Sequence, residues 1–166
     1  MTVALTGEGN AAIFFVIDHA TAELGGIHAA RHGTRWEAIE PLRQAAGQQL
    51  GGYAEGIASG LDLEMRHDHG GQFVSDAYQQ ELAFLGIRSS PTFVREPEGN
   101  GCAERFIRTL KEQLLWLRRF ETVEELRLAL HEFKERYNRE WRLERLGYRS
   151  PREYRESLRT CMETAA

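Results

Sequence analysis

A nearly uninterrupted apolar run, Ala11-Ala12-Ile13-Phe14-Phe15-Val16-Ile17, constrains the fold more than any other segment. A strand with apolar residues at successive positions is buried on both faces, so its sheet must be covered on both sides. A shorter apolar run precedes it at 2–6, and the turn-rich Gly7-Glu8-Gly9-Asn10 between them has hairpin length. We therefore predict an antiparallel hairpin, followed by a third strand over 23–30 that two central glycines weaken.

The rest of the chain alternates helix and strand signals. Thr34 and Glu37 form a capping box that predicts a helix from about 35 to 50, and Pro41 predicts a kink or an early break in it. The later signals predict a strand at 61–67, a helix at 75–85 and a strand at 87–94. Three helices follow: one at 100–119 with Asn100 as its N-cap, one that begins at Thr122, and one from Pro151 to about 160. This order is typical of a mixed sheet flanked by helices.

Composition excludes several classes of protein. The chain has 166 residues, 42% of them hydrophobic, which fits one globular domain. It contains no run of about 18 apolar residues, so we expect no membrane partner. Cys102 and Cys161 lie far apart, which argues against a disulfide framework or a cysteine zinc site. We therefore expect a soluble cytoplasmic protein with reduced thiols.

Charge is distributed unevenly along the chain. Residues 1–100 hold 6 Arg and no Lys against 13 Asp and Glu, a net charge of -7, whereas residues 101–166 hold 15 basic against 12 acidic residues, a net charge of +3. A basic C-terminal third is suited to contacts with nucleic-acid phosphates. The excess is small, however, and charge alone fits a solvated helical surface with mixed ion pairs better.

Two carboxylates stand at positions that suit metal-dependent phosphoryl transfer. Asp68 ends the predicted strand 61–67, and Glu104 lies near the start of the predicted helix 100–119, with 35 residues between them. Carboxylate oxygens are hard ligands for Mg²⁺ or Mn²⁺, and two such ions can assist an in-line phosphoryl displacement. Taken singly, Asp68 is equally well explained as a turn-capping residue and Glu104 as a first-turn residue favoured by the helix dipole.

Three motifs resemble those of one family. Asp68-His69-Gly70-Gly71-Gln72-Phe73 resembles the D-x-G-x-Q-F/Y motif of transposases and integrases with a retroviral-integrase-type core. The segment from Asn100 to Lys111 is similar to their third-acid motif, N-x-x-x-E-x-x-x-x-T-L-K, and 35 is the spacing found in that DDE superfamily. Tyr137-Asn138 and Leu146-Gly147-Tyr148-Arg149-Ser150-Pro151 are similar to the Y-N…L-G…T/S-P tail of bacterial insertion-sequence transposases.

The resemblance implies a fold and a domain organisation. The expected fold is α/β and ribonuclease-H-like, with a mixed five-stranded sheet flanked by helices and a helical C-terminal extension. A catalytic core is expected over 1–160 and a frayed tail over 161–166. We also expect that the N-terminal DNA-binding region of such enzymes is absent and that the first strand is truncated.

The resemblance also implies an activity, DNA integration and transposition by two divalent ions, Mg²⁺ or Mn²⁺. Asp68 and Glu104 would be the second and third acids that hold these ions and catalyse the reaction. Arg108 and Lys111 lie about one and two helical turns beyond Glu104, where basic residues of the family meet the DNA end. The implied partners are DNA and further copies of the chain, in a bacterial cytoplasm and on the nucleoid when DNA is bound.

The family's first acid belongs to a W-x-x-D-x-T pattern on the first strand. Counting back about fourteen residues from Val16-Ile17-Asp18 places Ala4 at the acid's position and Thr6 at the pattern's Thr. The acidic triad is then incomplete, so we expect this copy to be inactive and Ala4→Asp to raise its activity. Asp18 is the nearest substitute, although a structural role at a strand end suits it better.

Two alternatives remain open at the level of sequence. The first is a non-catalytic DNA-binding or oligomerisation module of a transposase relic, carried by the basic helix and the Arg-rich tail. The second is an unrelated metallohydrolase in which His67 and His69 bind zinc, with His28 and His32 at a helical four-residue spacing. No motif supplies a third zinc ligand.

Overall fold

The computed structural model describes residues 1–91 and 101–164, and it begins with the predicted antiparallel strands. Strand β1 (Thr2–Thr6) pairs with β2 (Gly9–Ile17), and the other edge of β2 pairs with β3 (Leu24–Ala30). The register places Thr6 opposite Gly9 and Thr2 opposite Ile13. Strand β1 therefore accompanies β2 only as far as Ile13.

Helix α1 (Arg35–Gln49) begins as predicted at Thr34, whose side-chain hydroxyl accepts the Glu37 N–H. The Glu37 carboxylate does not complete the capping box, because it lies 2.6 Å from Nε2 of His28 on β3. Of the kink or early break predicted at Pro41, the early break is wrong, since α1 continues to Gln49. The cost of the missing proline N–H is offset by packing, because Pro41 is buried against the sheet.

The two glycines that weaken the sequence signal of β3 allow α1 to lie directly on that strand. A Cβ atom on Gly26 would stand 2.0 Å from the carbonyl oxygen of Pro41. A Cβ atom on Gly25 would stand 2.8 Å from Cβ of Ala45. Only residues without a side chain permit this close approach.

A second sheet contains β4 (Glu64–His67) and β5 (Arg88–Pro91), which run parallel. Helix α2 (Asp76–Leu85) connects them, beginning at its cap Ser75 and ending at Gly86, whose φ of 77° is easily adopted by glycine. The described residues thus form sheets of three and two strands, and do not confirm the single five-stranded sheet. The class α/β is confirmed. The part of the predicted fifth strand after Pro91 falls outside the described residues.

The last third of the chain is helical, as predicted. Helix α3 (Gly101–Leu110) continues into a π-helical turn (Lys111–Leu115), and α4 (Val123–Glu140), a short 3₁₀ turn (Glu144–Leu146) and α5 (Pro151–Thr164) follow. Thr122 caps α4 by accepting the Glu125 N–H. Helix α5 starts at Pro151 as expected and runs beyond the predicted end near 160. The predicted cap Asn100 lies outside the described residues.

The core has two clusters, one on each face of β2. Ile13 faces α3 and α4, where Phe106, Leu126 and Phe133 are buried. Phe14 faces α1 and α2 and belongs to the cluster that contains Leu42. Burial on both faces explains the unbroken apolar run of β2. No helix in residues 1–91 or 101–164 is long and apolar enough to cross a membrane.

Candidate active site

A cavity of about 590 Å³ lies between β2, β4 and α1, beside the first turns of α3. Asp68, directly after β4, and Glu104, in the first turn of α3, both line it. The structure therefore brings the two carboxylates singled out by their spacing to one cavity. The floor is apolar, with Leu42, Ala45 and Ala46 contributed by α1.

Asp68 is held by a tight turn that depends on glycine. Its Oδ1 accepts the Gly70 N–H at 2.8 Å, so the turn-capping role foreseen for this residue is observed. A Cβ atom on Gly70 would stand 2.5 Å from Nε2 of Gln72 and 2.8 Å from Asp68 Oδ1. The glycine and the glutamine of the D-x-G-x-Q motif thus pack around the carboxylate and fix its position.

Glu104 is exposed, and the packing of Phe106 two residues later sets its position. The Phe106 ring lies 4.7 Å from that of Phe15 on β2 and 5.4 Å from that of Tyr137 on α4. Arg108 is exposed one turn further along α3, and the half-buried Lys111 begins the π-helical turn. Residues four and seven positions after Glu104 share its side of the helix, so this face combines one acid with two bases.

Asp18 also lines the cavity, but both of its carboxylate oxygens are engaged in the turn between β2 and β3. Oδ1 accepts the Ala20 N–H at 2.8 Å, and Oδ2 accepts the Thr21 hydroxyl at 2.8 Å. This geometry is that of an Asx turn. The structural role expected for Asp18 is therefore confirmed, and each of its carboxylate oxygens accepts one hydrogen bond from the turn.

Ala4 does not lie where the missing first acid was expected. It pairs with Ala11 and is buried in the core cluster that contains Ile13. Among residues 1–6, the one that lines the cavity is Met1, directly before β1. Counting residues back from Asp18 assumes that the hairpin of β1 and β2 always has the same length. The pairing register of the strands, however, decides which residue reaches the cavity. The assignment of the acid's position to Ala4 is therefore wrong.

Two of the histidines proposed as zinc ligands, His67 and His28, have other partners. His67 is buried, with Nδ1 2.9 Å from the Asp68 carbonyl oxygen and Nε2 2.8 Å from the Ser89 hydroxyl. His28 is paired with Glu37. The described residues contain no group of three His, Cys, Asp or Glu side chains that suits a metal, so the zinc hypothesis is without support. Mg²⁺ or Mn²⁺ needs only one or two protein carboxylates, and Asp68 and Glu104 are the two carboxylates that the motifs identify at this cavity.

Comparisons with known proteins agree with the motifs. Residues 85–151 match the model of a family described as the integrase core domain. Over 93 residues, the chain is 37% identical to the putative transposase InsD for insertion element IS2E of Escherichia coli (strain K12), covering 55% of this chain and 42% of that protein. It is equally similar to an Escherichia coli transposase InsD of insertion element IS2, of which 31% is covered. Residues 85–151 are thus similar to an integrase core domain, and the chain resembles these transposases over the 93 matched residues.

Solved structures resemble this core over nearly its full length. The catalytic core domain of BIV integrase has a TM-score of 0.66 at 20% identity and covers 98% of this chain and 95% of its own. The HTLV-2 integrase catalytic core domain, solved in complex with magnesium in a trimeric form, has a TM-score of 0.66 at 16% identity. The match covers 92% of this chain and 90% of that domain. These likenesses show an integrase-type α/β fold. The matched part is less than half the length of the curated transposases.

One residue of the core that supports the site was missed by sequence reasoning. Arg145, in the 3₁₀ turn after α4, donates from Nη1 to the His19 carbonyl oxygen at 3.1 Å and from Nη2 to Cys102 Sγ at 3.7 Å. It joins the turn that follows β2 to the first turn of α3, two residues before Glu104. Burial raises the pKa of the Cys102 thiol, so the sulfur contacting Arg145 is uncharged. No sequence pattern marks Arg145, because its partners are remote in sequence.

Proposed function

We propose that this core cleaves and joins DNA by divalent-metal-dependent phosphoryl transfer, as part of transposition, with Asp68 and Glu104 as its metal ligands. The observation that carries the proposal is that these two carboxylates, contributed by separate elements, line one cavity at the spacing typical of the family. Mg²⁺ or Mn²⁺ bound there would neutralise charge on the transferring phosphate and activate the attacking oxygen. The magnesium complex of the HTLV-2 integrase core supports this assignment.

The protein's own residues bind and orient the DNA. The turn at Gly70 holds the Asp68 carboxylate toward the cavity, and Phe106 anchors the helix that presents Glu104. Arg108 and Lys111 contact phosphates of the DNA end and bring it to the carboxylates. Such phosphate contacts position the DNA without reading its sequence.

The first experiment measures Mn²⁺ binding by calorimetry, together with metal-dependent nicking of plasmid DNA. Asp68→Asn and Glu104→Gln should each abolish detectable Mn²⁺ binding while leaving the circular dichroism spectrum unchanged. Asp76→Asn and Glu112→Gln are matched controls, because they remove exposed carboxylates from the starts of other helical segments. Mn²⁺ binding that survives both site variants would refute the proposed ligands.

A second experiment tests the DNA contacts. The double variant Arg108→Ala and Lys111→Ala should weaken DNA binding and reduce the slope of log affinity against log salt by about two, since two phosphate contacts are lost. The charge-matched double variant Arg119→Ala and Arg159→Ala alters exposed residues elsewhere. Equal effects of the two double variants would show that only net charge matters.

A non-catalytic DNA-binding or oligomerisation module is the second candidate function. The observation that favours it is that none of residues 1–6 brings a carboxylate to the cavity, where Met1 lies directly before β1, while the carboxylate of Asp18 is engaged in a turn. In this case DNA binding is salt-dependent and no nicking occurs with either metal. If the protein nicks plasmid DNA and Asp68→Asn abolishes the nicking, both this candidate and the expectation that the copy is inactive are excluded.

We further propose that the core acts as a homo-oligomer on DNA in the bacterial cytoplasm. The related structures include a trimeric form and an intasome, which supports assembly on DNA as a working model. Light scattering after size-exclusion chromatography, with and without DNA, tests this. A single protomer under both conditions would contradict it.

A further inference from the structure

The β4 wall of the cavity carries an arginine to which the motifs give no role. Arg66, two residues before Asp68, lines the cavity and is exposed. Among the described residues that form the cavity walls, it is the one arginine or lysine. Within residues 1–91 and 101–164, its guanidinium group forms no ion pair and no hydrogen bond. Its charge is therefore available to a ligand.

The alternation of side chains along β4 shows which way Arg66 points. Met65 packs against the core cluster formed with α1 and α2. The His67 ring faces the same cluster, with its centroid 6.0 Å from that of Tyr78 on α2. Successive side chains of a strand point to opposite faces, so Arg66 points away from this cluster. Helix α3, which packs on the other face of β2, contributes Glu104 to the same cavity.

The neighbours of Arg66 on its own face of β4 do not neutralise it. Glu64 shares that face, but its Oε1 lies 2.9 Å from Nη2 of Arg88 on β5. The residue paired with Arg66 across the two strands is Ser90, which carries no charge. The ion pair on β5 thus occupies the nearest carboxylate of the strand and leaves the guanidinium group of Arg66 open to the cavity.

The other charges of the cavity explain what Arg66 can bind. Among the described residues that line the cavity, four are acids, and Asp18 accepts hydrogen bonds within its turn while Glu64 is paired with an arginine of β5. The remaining acids, Asp68 and Glu104, are the proposed metal ligands. Their charges repel an anion as long as they hold no metal, whereas a divalent ion reverses the sign of the local charge. Arg66 then adds a second positive group to the same cavity.

We propose that Arg66 binds a phosphate of the DNA backbone inside the cavity, and that this contact forms when Asp68 and Glu104 hold a divalent ion. The inference rests on the proposed function and assigns a substrate contact to β4. A guanidinium group suits this ligand, because its planar fork donates two parallel hydrogen bonds to phosphate oxygens. Arg108 and Lys111 approach the DNA from α3, so the backbone is held from two walls of the cavity. The contact made by Arg66 differs from theirs in its dependence on metal.

The test measures the affinity for a fluorescent DNA duplex by anisotropy, once with Mn²⁺ and once with EDTA. Arg66→Ala should weaken binding by about tenfold with Mn²⁺, because a charge-assisted contact is lost, and much less with EDTA. With Mn²⁺, it should also lower the slope of log affinity against log salt by about one. Arg66→Lys keeps the charge and should keep the slope. The control is Arg119→Ala, since Arg119 is exposed and does not line the cavity, and its effect should be equal in the two buffers.

The Asp68→Asn variant provides a readout that a purely structural role of Arg66 would not change. In that background, Arg66→Ala should have only its small effect even when Mn²⁺ is present. An effect of Arg66→Ala that is the same with Mn²⁺ and with EDTA, or no effect in either buffer, would overturn the proposal. A slope for Arg66→Lys as low as that of Arg66→Ala would also overturn it, because retained charge would then make no difference.

Calorimetry with Mn²⁺ separates failure of this inference from failure of the proposed function. If the natural protein binds no Mn²⁺, both are refuted. If it binds Mn²⁺ through Asp68 and Glu104 and the effect of Arg66→Ala does not depend on the metal, only the assignment of Arg66 is refuted.

Discussion

Asn138 in α4 bonds to both main-chain polar groups of Leu24 at the start of β3. Its Oδ1 accepts the Leu24 N–H at 2.8 Å, and its Nδ2 donates to the Leu24 carbonyl oxygen at 2.9 Å. The Asn138 side chain is fully buried, and Tyr137 beside it packs on Phe106 of α3. The Y-N pair of the tail motif thus links the sheet to the helix that carries Glu104.

Asn138→Ala should lower the free energy of unfolding by about 2–4 kcal/mol, because two buried main-chain groups lose their partners. Urea denaturation measures the change. Arg139→Ala is the control, since Arg139 is exposed and forms its ion pair with the neighbouring Glu140, and a change within about 0.5 kcal/mol is expected. Similar losses for the two variants would show that the Asn138 bonds contribute little.

Gly26→Ala should destabilise the protein severely. The new methyl group would lie 2.0 Å from the carbonyl oxygen of Pro41, so α1 would have to move off β3. Gly47→Ala is the matched control on α1, because nothing lies within 4 Å of its added Cβ atom, and helix propensity predicts a gain of about 0.5–1 kcal/mol. Thermal unfolding of both variants tests the contrast, and a Gly26→Ala variant as stable as the natural sequence would contradict it.

Local signals in the sequence predicted most of the elements. Capping residues such as Thr34 and Thr122, the terminating Gly86 and the leading Pro151 act within a few residues, so their effects can be read from the chain alone. The position of α1 on β3 was not predicted. From the sequence alone, Gly26 only weakens a strand signal. The reason for glycine at this position is the close approach of the Pro41 carbonyl group, and Pro41 lies fifteen residues later in the chain.

The candidate site was only partly predictable for the same reason. Asp68 and Glu104 were identified by motif and spacing, and the structure places both at one cavity. The acid position assigned to Ala4 failed, since register depends on pairing with β2 and not on a residue count. Arg145 could not be found, because the groups it contacts lie 126 and 43 residues away.

Ala4→Asp should not raise nicking activity, contrary to the expectation from the motif. The new carboxylate would be buried in the core cluster away from Asp68, and an unpaired buried charge costs about 3 kcal/mol or more. Val3→Asp is the control on the same strand, because Val3 is 50% exposed, and a change of less than about 1 kcal/mol is expected. Metal-dependent nicking gained by Ala4→Asp would show that Ala4 does occupy the acid's position.

Glu23, at the start of β3, makes stability depend on pH. Its carboxylate is fully buried, with Oε1 3.3 Å from Nε2 of Gln48 and Oε2 2.8 Å from Nη1 of Arg155 on α5. Burial raises the pKa of the carboxyl group above its ordinary value of 4.5, and Arg155 opposes this only in part. Three further charged groups face it, Arg152, Asp18 and Lys134.

Because the folded state binds the Glu23 proton more tightly than the unfolded state, this group stabilises the fold below the ordinary pKa. That stability is lost as pH rises through the folded-state pKa. Glu23→Gln carries no titratable group, so the stability of the natural protein relative to this variant should fall as pH rises above the ordinary Glu pKa of 4.5 toward neutral pH. Urea denaturation of both proteins across this range measures the difference. A difference that rises with pH would mean that attraction to Arg155 outweighs the burial of the charge.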